Sequence, residues 1–85
     1  MNRITMTVLD QMLAVADLDP EFVHPDARLG RDFDVSSDQI RAILTNSARL
    51  LGIDIPAFDI SDASPRQLVE LLGSCTSSWA GRDAA

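Results

Sequence analysis

The stretch Ser36-Ser37-Asp38-Gln39-Ile40-Arg41-Ala42-Ile43-Leu44 decides the fold. A serine followed three residues later by glutamine marks a helix start. The Ser36 hydroxyl can accept a first-turn N–H while the Gln39 side chain reaches back to the N–H of Ser36. From there Ile40, Ile43, Leu44, Ser47, Ala48 and Leu51 recur at helical spacing and share one face. Gly52 suits the left-handed residue that closes a helix, and Pro56 prevents any continuation. The pattern therefore predicts a helix from about Ser37 to Leu51, with Ile53 and Ile55 anchoring its exit.

Toward the N-terminus, Ile4, Val8, Leu9, Met12, Leu13 and Ala16 form a second apolar stripe, predicting a helix from about Ile4 to Ala16. Thr5 or Thr7 could cap it, and Thr7 with Asp10 fits a capping box. Between these helices, Asp17 to Ser36 reads as a long loop broken by Pro20, Pro25 and Gly30. So long a loop needs anchors, and Phe22, Val23, Leu29, Phe33 and Val35 are the candidates. Toward the C-terminus, Ser64-Pro65-Arg66-Gln67 is a second capping box, with proline at the first helical position. Leu68, Val69, Leu71 and Leu72 supply the apolar face of that helix, and Gly73 is its expected stop. A short helical turn is expected over Ala57–Ser61. The expected organisation is an all-α bundle over residues 1–73, with three main helices and one short one, followed by a flexible tail over 74–85.

The chain has 85 residues, enough for one domain with a modest core. Thirteen acidic residues oppose seven basic ones, all arginine, for a net charge of −6. Such a surface repels nucleic acid and anionic membranes and favours protein partners with basic patches, although acidity also serves plain solubility. The single cysteine, Cys75, excludes an internal disulfide and falls in the polar tail. No apolar run approaches the ~20 residues of a membrane helix, and the N-terminus makes a poor signal peptide. A cytoplasmic monomer is the default expectation.

Catalysis finds no footing. His24 is the lone histidine, and nothing pairs it with a serine and an orienting group. Asp32, Asp34 and Asp38 follow no calcium-loop pattern and read as a solvated acidic stretch. No metal site or enzymatic activity is expected. The Ser36-Ser37 pair remains, and by itself it is explained by helix capping, worth roughly 1 kcal/mol over alanine.

Its surroundings add to that. Pro25-Asp26-Ala27-Arg28-Leu29, then Asp32-Phe33-Asp34-Val35-Ser36-Ser37, then Gly52-Ile53-Asp54-Ile55-Pro56 follow one another without a gap. That order resembles the acyl carrier proteins, in which Pro-Asp-x-x-Leu leads to Asp-Leu-Gly-x-Asp-Ser-Leu, an apolar helix and Gly-Ile-x-Ile-Pro. With one length change, Ser64 to Leu72 resembles the start of the family's last helix, so the likeness covers about residues 4–73. The resemblance implies a four-helix carrier fold with 4′-phosphopantetheine on Ser37, attached by a phosphopantetheinyl transferase using coenzyme A. Its arm would carry acyl groups as thioesters between loading and processing enzymes. Making Ser36 the acceptor instead would break the spacing to Pro56. A phosphate at a helix start is also physically favoured, because unpaired N–H groups gather there.

The chain departs from the family pattern at Ser36 (Asp in the family), Asp38 (Leu) and Asp34 (Gly). The helix after Ser37 carries Arg41 and Arg49, with Asp38 its only acid, where fatty acid carriers usually bear a run of acidic residues, and Arg41 and Thr45 stand where apolar contact residues are common. Asp38, Arg41, Thr45 and Arg49 are therefore the expected partner-recognition residues, and they imply dedicated partners of a polyketide or nonribosomal peptide type of pathway. Two other readings stand beside this one: a carrier fold without an arm, acting as an interaction module, and an unrelated helical adaptor lacking the pinned loop. Ile43, Leu44, Ile53, Ile55, Leu68 and Leu71 could line a cargo cavity, and they are equally the expected core.

Overall fold

The computed structural model describes the backbone of residues 3–55 and 60–84 and the side chains of residues 3–55 and 60–75. Within them the chain is all-α. Helix α1 spans Arg3–Ala16, α2 Leu29–Phe33, α3 Ser37–Leu51 and α4 Pro65–Ala84, with a 3-10 turn at Pro20–Phe22. Helix α1 packs against both α3 and α4, and α2 lies against α3.

Helix α3 has the predicted bounds. The Ser36 hydroxyl accepts the Gln39 N–H at 3.1 Å, and the Gln39 side-chain oxygen accepts the Ser36 N–H at 3.0 Å. At the other end Gly52 has φ of 71°, and its N–H donates to Arg49 O while that of Ile53 donates to Ala48 O. These paired bonds satisfy carbonyls that a bare helix end would leave exposed. The second capping box also forms, with Ser64 and Gln67 exchanging bonds of 2.9 and 3.2 Å.

The core holds Val8 and Met12 of α1, Val23, Leu29 and Val35 of the connection, Ile40, Ile43, Leu44 and Ala48 of α3, and Ile53, Ala63, Leu68 and Leu72. The long connection is thus pinned at three buried points. Two expected members are not buried: Leu13 is 51% and Phe22 78% exposed. Leu13 lies at the edge of its stripe, and Phe22 ends a turn whose next residue, Val23, takes the inward position.

Three other sequence expectations are corrected. Helix α1 begins at Arg3, so Thr5 and Thr7 are inside it, and the Thr7 hydroxyl donates back to Arg3 O at 2.8 Å instead of capping. The long connection, read as a loop, contains a short helix, α2. The turn expected over Ala57–Ser61 falls largely outside the described residues, and Ile60 and Ser61 are not helical. Finally, α4 does not stop at Gly73 but runs on to Ala84. Gly73 does not adopt the positive φ of a terminating glycine, which among the described glycines is seen at Gly52. Cys75, expected in a polar tail, is therefore helical and half-buried against the core.

Helix α2 owes its position to a distant residue. The Asp62 carboxylate accepts the N–H groups of Gly30 at 2.7 Å and Arg31 at 3.3 Å, and Leu29 N–H donates to Ala63 O. One turn earlier, Arg66 N–H donates to Pro25 O, and the Arg66 guanidinium lies 3.3 Å from the Asp26 carboxylate. The approach to α4 is thereby laced to the approach to α3. Helix α2 then ends on Asp34, with φ of 57°, and Val35 turns inward. Helix α1 ends in the same manner, on Asp17 with φ of 56°. Asp tolerates this left-handed conformation better than most residues with a Cβ.

Candidate functional site

Asp34 reverses the chain, Val35 enters the core, and Ser36 caps α3, which places Ser37 on its first helical residue. The two serines differ chemically as a result. The Ser36 hydroxyl is held by the Gln39 N–H. Ser37 is exposed, and its hydroxyl makes no hydrogen bond within the described residues. Ile40 N–H is taken by Ser36 O, and Gln39 N–H by the Ser36 hydroxyl. The first-turn N–H groups of Ser37 and Asp38 carry the helix-start positive potential beside the Ser37 oxygen.

Arg41, Thr45 and Arg49 follow Ser37 at steps of four, and all are exposed. They form one outward stripe, with Arg41 about 6 Å and Arg49 about 18 Å from Ser37 along the helix axis. Asp38 is exposed in the same first turn. Among the described residues the one ion pair is Arg66 with Asp26, so both α3 arginines face solvent without an internal carboxylate partner. The predicted site residues are therefore brought onto one face of one helix.

The residues considered for a cargo cavity are core: Ile43, Leu44 and Leu68 are fully buried, and Ile55 and Leu71 pack against them half-buried. Ser47, which the sequence places on the apolar face of α3, is buried with that face. The hydroxyl of Ser47, fully buried on α3, has no hydrogen-bond partner among the described residues. A groove of about 450 Å³ opens elsewhere, between α1 (Thr5, Leu9), the connection (Pro20, Val23, Pro25) and the start of α4 (Pro65, Arg66, Val69). It does not include Ser37.

His24 lies exposed in the connection, where its Nδ1 accepts the Asp26 N–H at 3.1 Å. Among the described residues no three His, Cys, Asp or Glu side chains are grouped to hold a metal ion, and no helix is long and apolar enough to cross a membrane. Comparisons with protein-family models, with curated proteins and with solved structures find no match.

Proposed function

We propose that this chain is an acyl carrier protein that bears 4′-phosphopantetheine on Ser37 and holds thioester-bound acyl intermediates in a specialised, polyketide- or nonribosomal-peptide-type pathway. The observation that carries the reading is the division of labour between adjacent serines. Ser36 is consumed by the capping box, while Ser37, on the first residue of α3, offers an exposed hydroxyl with no hydrogen bond among the described residues. The residues present suit the group. A phosphodiester on the Ser37 oxygen would lie by the first-turn N–H groups and the helix dipole, with Arg41 one turn along the same stripe. When bound, the arm supplies a thiol for thioester chemistry. The protein's own part is to hold the attachment point rigid and exposed, and the domain itself catalyses nothing. Asp38, Arg41, Thr45 and Arg49 are the residues that a transferase and acyl-processing enzymes would read.

A second reading rests on a specific observation. Asp34 and Asp38 place exposed carboxylates on either side of Ser37, and these oppose an incoming phosphate. In that case the carrier fold serves as an armless interaction module.

Intact mass measured after incubation with coenzyme A, Mg²⁺ and a broad-specificity phosphopantetheinyl transferase separates the two. The carrier reading expects a gain of one phosphopantetheine that is lost in Ser37→Ala and kept in Ser36→Ala. If the protein isolated from its native host carries no arm, the carrier reading is wrong and the armless module stands.

A further inference from the structure

The outward face of α3 runs against the charge of the rest of the chain. Asp38, Arg41 and Arg49 together carry +1, so all other charged residues of the chain together carry −7. Arg41, Thr45 and Arg49 lie at steps of four on that face, each of them exposed. The two arginines sit about 12 Å apart along the helix axis, with the short Thr45 side chain between them. Among the described residues neither guanidinium has a carboxylate at ion-pair distance, whereas Arg66 is paired with Asp26 at 3.3 Å. Arg49, in the last turn, offsets the negative end of the helix. Arg41 lies nearer the positive end, where a cation gains nothing from the dipole.

A guanidinium presents a planar fork of donors that matches a carboxylate. Reach decides which anion fits. Nucleic acid and anionic membranes are extended, so they meet the acidic surroundings of the stripe as well as its two arginines. A folded protein with a local acidic patch does not. At physiological ionic strength exposed charges more than about 8 Å away are largely screened, so such a patch meets mainly the stripe.

We propose, resting on the carrier reading for the identity of the partner, that the enzymes acting at Ser37 dock on α3 through a local acidic patch whose carboxylates pair with Arg41 and Arg49. The whole-chain charge favours partners with basic patches, and on this face the sign is reversed. Ser37 stands about 6 Å beyond Arg41 on the same stripe, so a partner seated on both arginines has its own reacting groups at the attachment point.

Titration of the unmodified, isotope-labelled full chain, followed by backbone amide shifts, tests the docking face independently of the arm. The probe is a helical peptide with two glutamates at the spacing of Arg41 and Arg49 on an otherwise uncharged face. Its glutamine counterpart and a single-stranded oligonucleotide are the controls. Shifts are expected at Arg41, Thr45 and Arg49 with the glutamate peptide, at an affinity about fivefold or more above that of the glutamine peptide and falling with added salt. Arg41→Glu combined with Arg49→Glu should abolish them, with helix content by circular dichroism unchanged because both side chains are exposed. If that reversal fails to fold, Arg41→Gln with Arg49→Gln takes its place. The docking face is overturned if the glutamate peptide moves other residues or none, if the glutamine peptide binds as well, or if the oligonucleotide moves the same residues as strongly. These shifts in a chain whose Ser37 gains no arm, even in its native host, would instead remove the carrier reading and leave α3 as the acid-binding face of an interaction module.

Discussion

The carboxylate of Asp62 accepts the backbone N–H of Gly30 at 2.7 Å, across 32 residues of sequence. It also accepts the N–H of Arg31 and of its neighbour Ala63. One side chain thus caps the start of α2 and ties it to the segment leading into α4. Bonds to an ionised acceptor in a partly buried setting are worth more than neutral ones. Asp62→Ala is expected to destabilise the fold by about 2 kcal/mol, a fall in Tm of roughly 10 °C for a domain this small. Gly30→Ala should also destabilise, against helix propensity, because a Cβ there would lie 3.0 Å from the Asp62 carboxylate and 3.2 Å from Val35 O. Thermal melts of both single variants and the double variant check the coupling: if both act through the same cap, the double variant loses clearly less than the sum.

Asp34 lets the chain turn sharply enough to put Val35 in the core and Ser37 on the surface. Its φ of 57° lies where residues with a Cβ pay a steric cost that glycine does not. Asp34→Gly is expected to raise stability by up to about 1 kcal/mol, with part of the gain offset by the freer unfolded chain. Asp34→Ala should lower it, since alanine keeps the steric cost and lacks the polar side chain that lets Asp tolerate this conformation. Equilibrium urea unfolding gives both signs, and a stabilising alanine would contradict the argument.

Helix α3 was legible in the sequence because independent local signals agreed. Capping box, apolar stripe, Gly52 and Pro56 all pointed to the same ends, and the Ser64–Gln67 box did the same for the start of α4. Helix α2 was not legible, because its five residues are too few for a stripe and its cap, Asp62, comes from a distant segment. The Ser36 cap was legible together with α3, but that the Ser37 hydroxyl makes no hydrogen bond among the described residues depends on the folded surroundings and could not be read from the sequence. Gly73 misled for a quantitative reason: glycine within a helix costs only about 1 kcal/mol against alanine, which the flanking turns can outweigh. A Cβ at Gly73 meets nothing within 4 Å. Gly73→Ala should therefore stabilise α4 by about 1 kcal/mol and increase helical circular dichroism. A destabilising alanine would mean that residue 73 leaves the helix after all.

The buried Ser47 hydroxyl has no partner among the described residues, and a polar group taken from water without compensation costs roughly 1–3 kcal/mol. Alanine removes that oxygen, fits the same space and has the better helix propensity. Ser47→Ala is expected to raise the urea midpoint, corresponding to about 1 kcal/mol, with the slope of the transition unchanged. A loss of stability would show that the hydroxyl is satisfied in solution, most simply by the carbonyl one turn back.

Ser36 and Ser37 are adjacent, chemically identical and assigned opposite roles, so the pair makes its own control. Removing the Ser36 hydroxyl leaves the Gln39 N–H without its acceptor and should cost about 1 kcal/mol of stability. Removing the Ser37 hydroxyl breaks no bond within the described residues and should leave Tm within about 3 °C of the parent, as surface substitutions away from such contacts do. In arm transfer the order reverses: Ser36→Ala should still gain mass while folded, whereas Ser37→Ala should gain none. Stability and modification thus respond to different members of the pair, and an unstable Ser37→Ala that lost modification only by unfolding would undo the assignment. Melting curves and intact masses taken on the same two preparations distinguish the cases, because misfolding would move both readouts together.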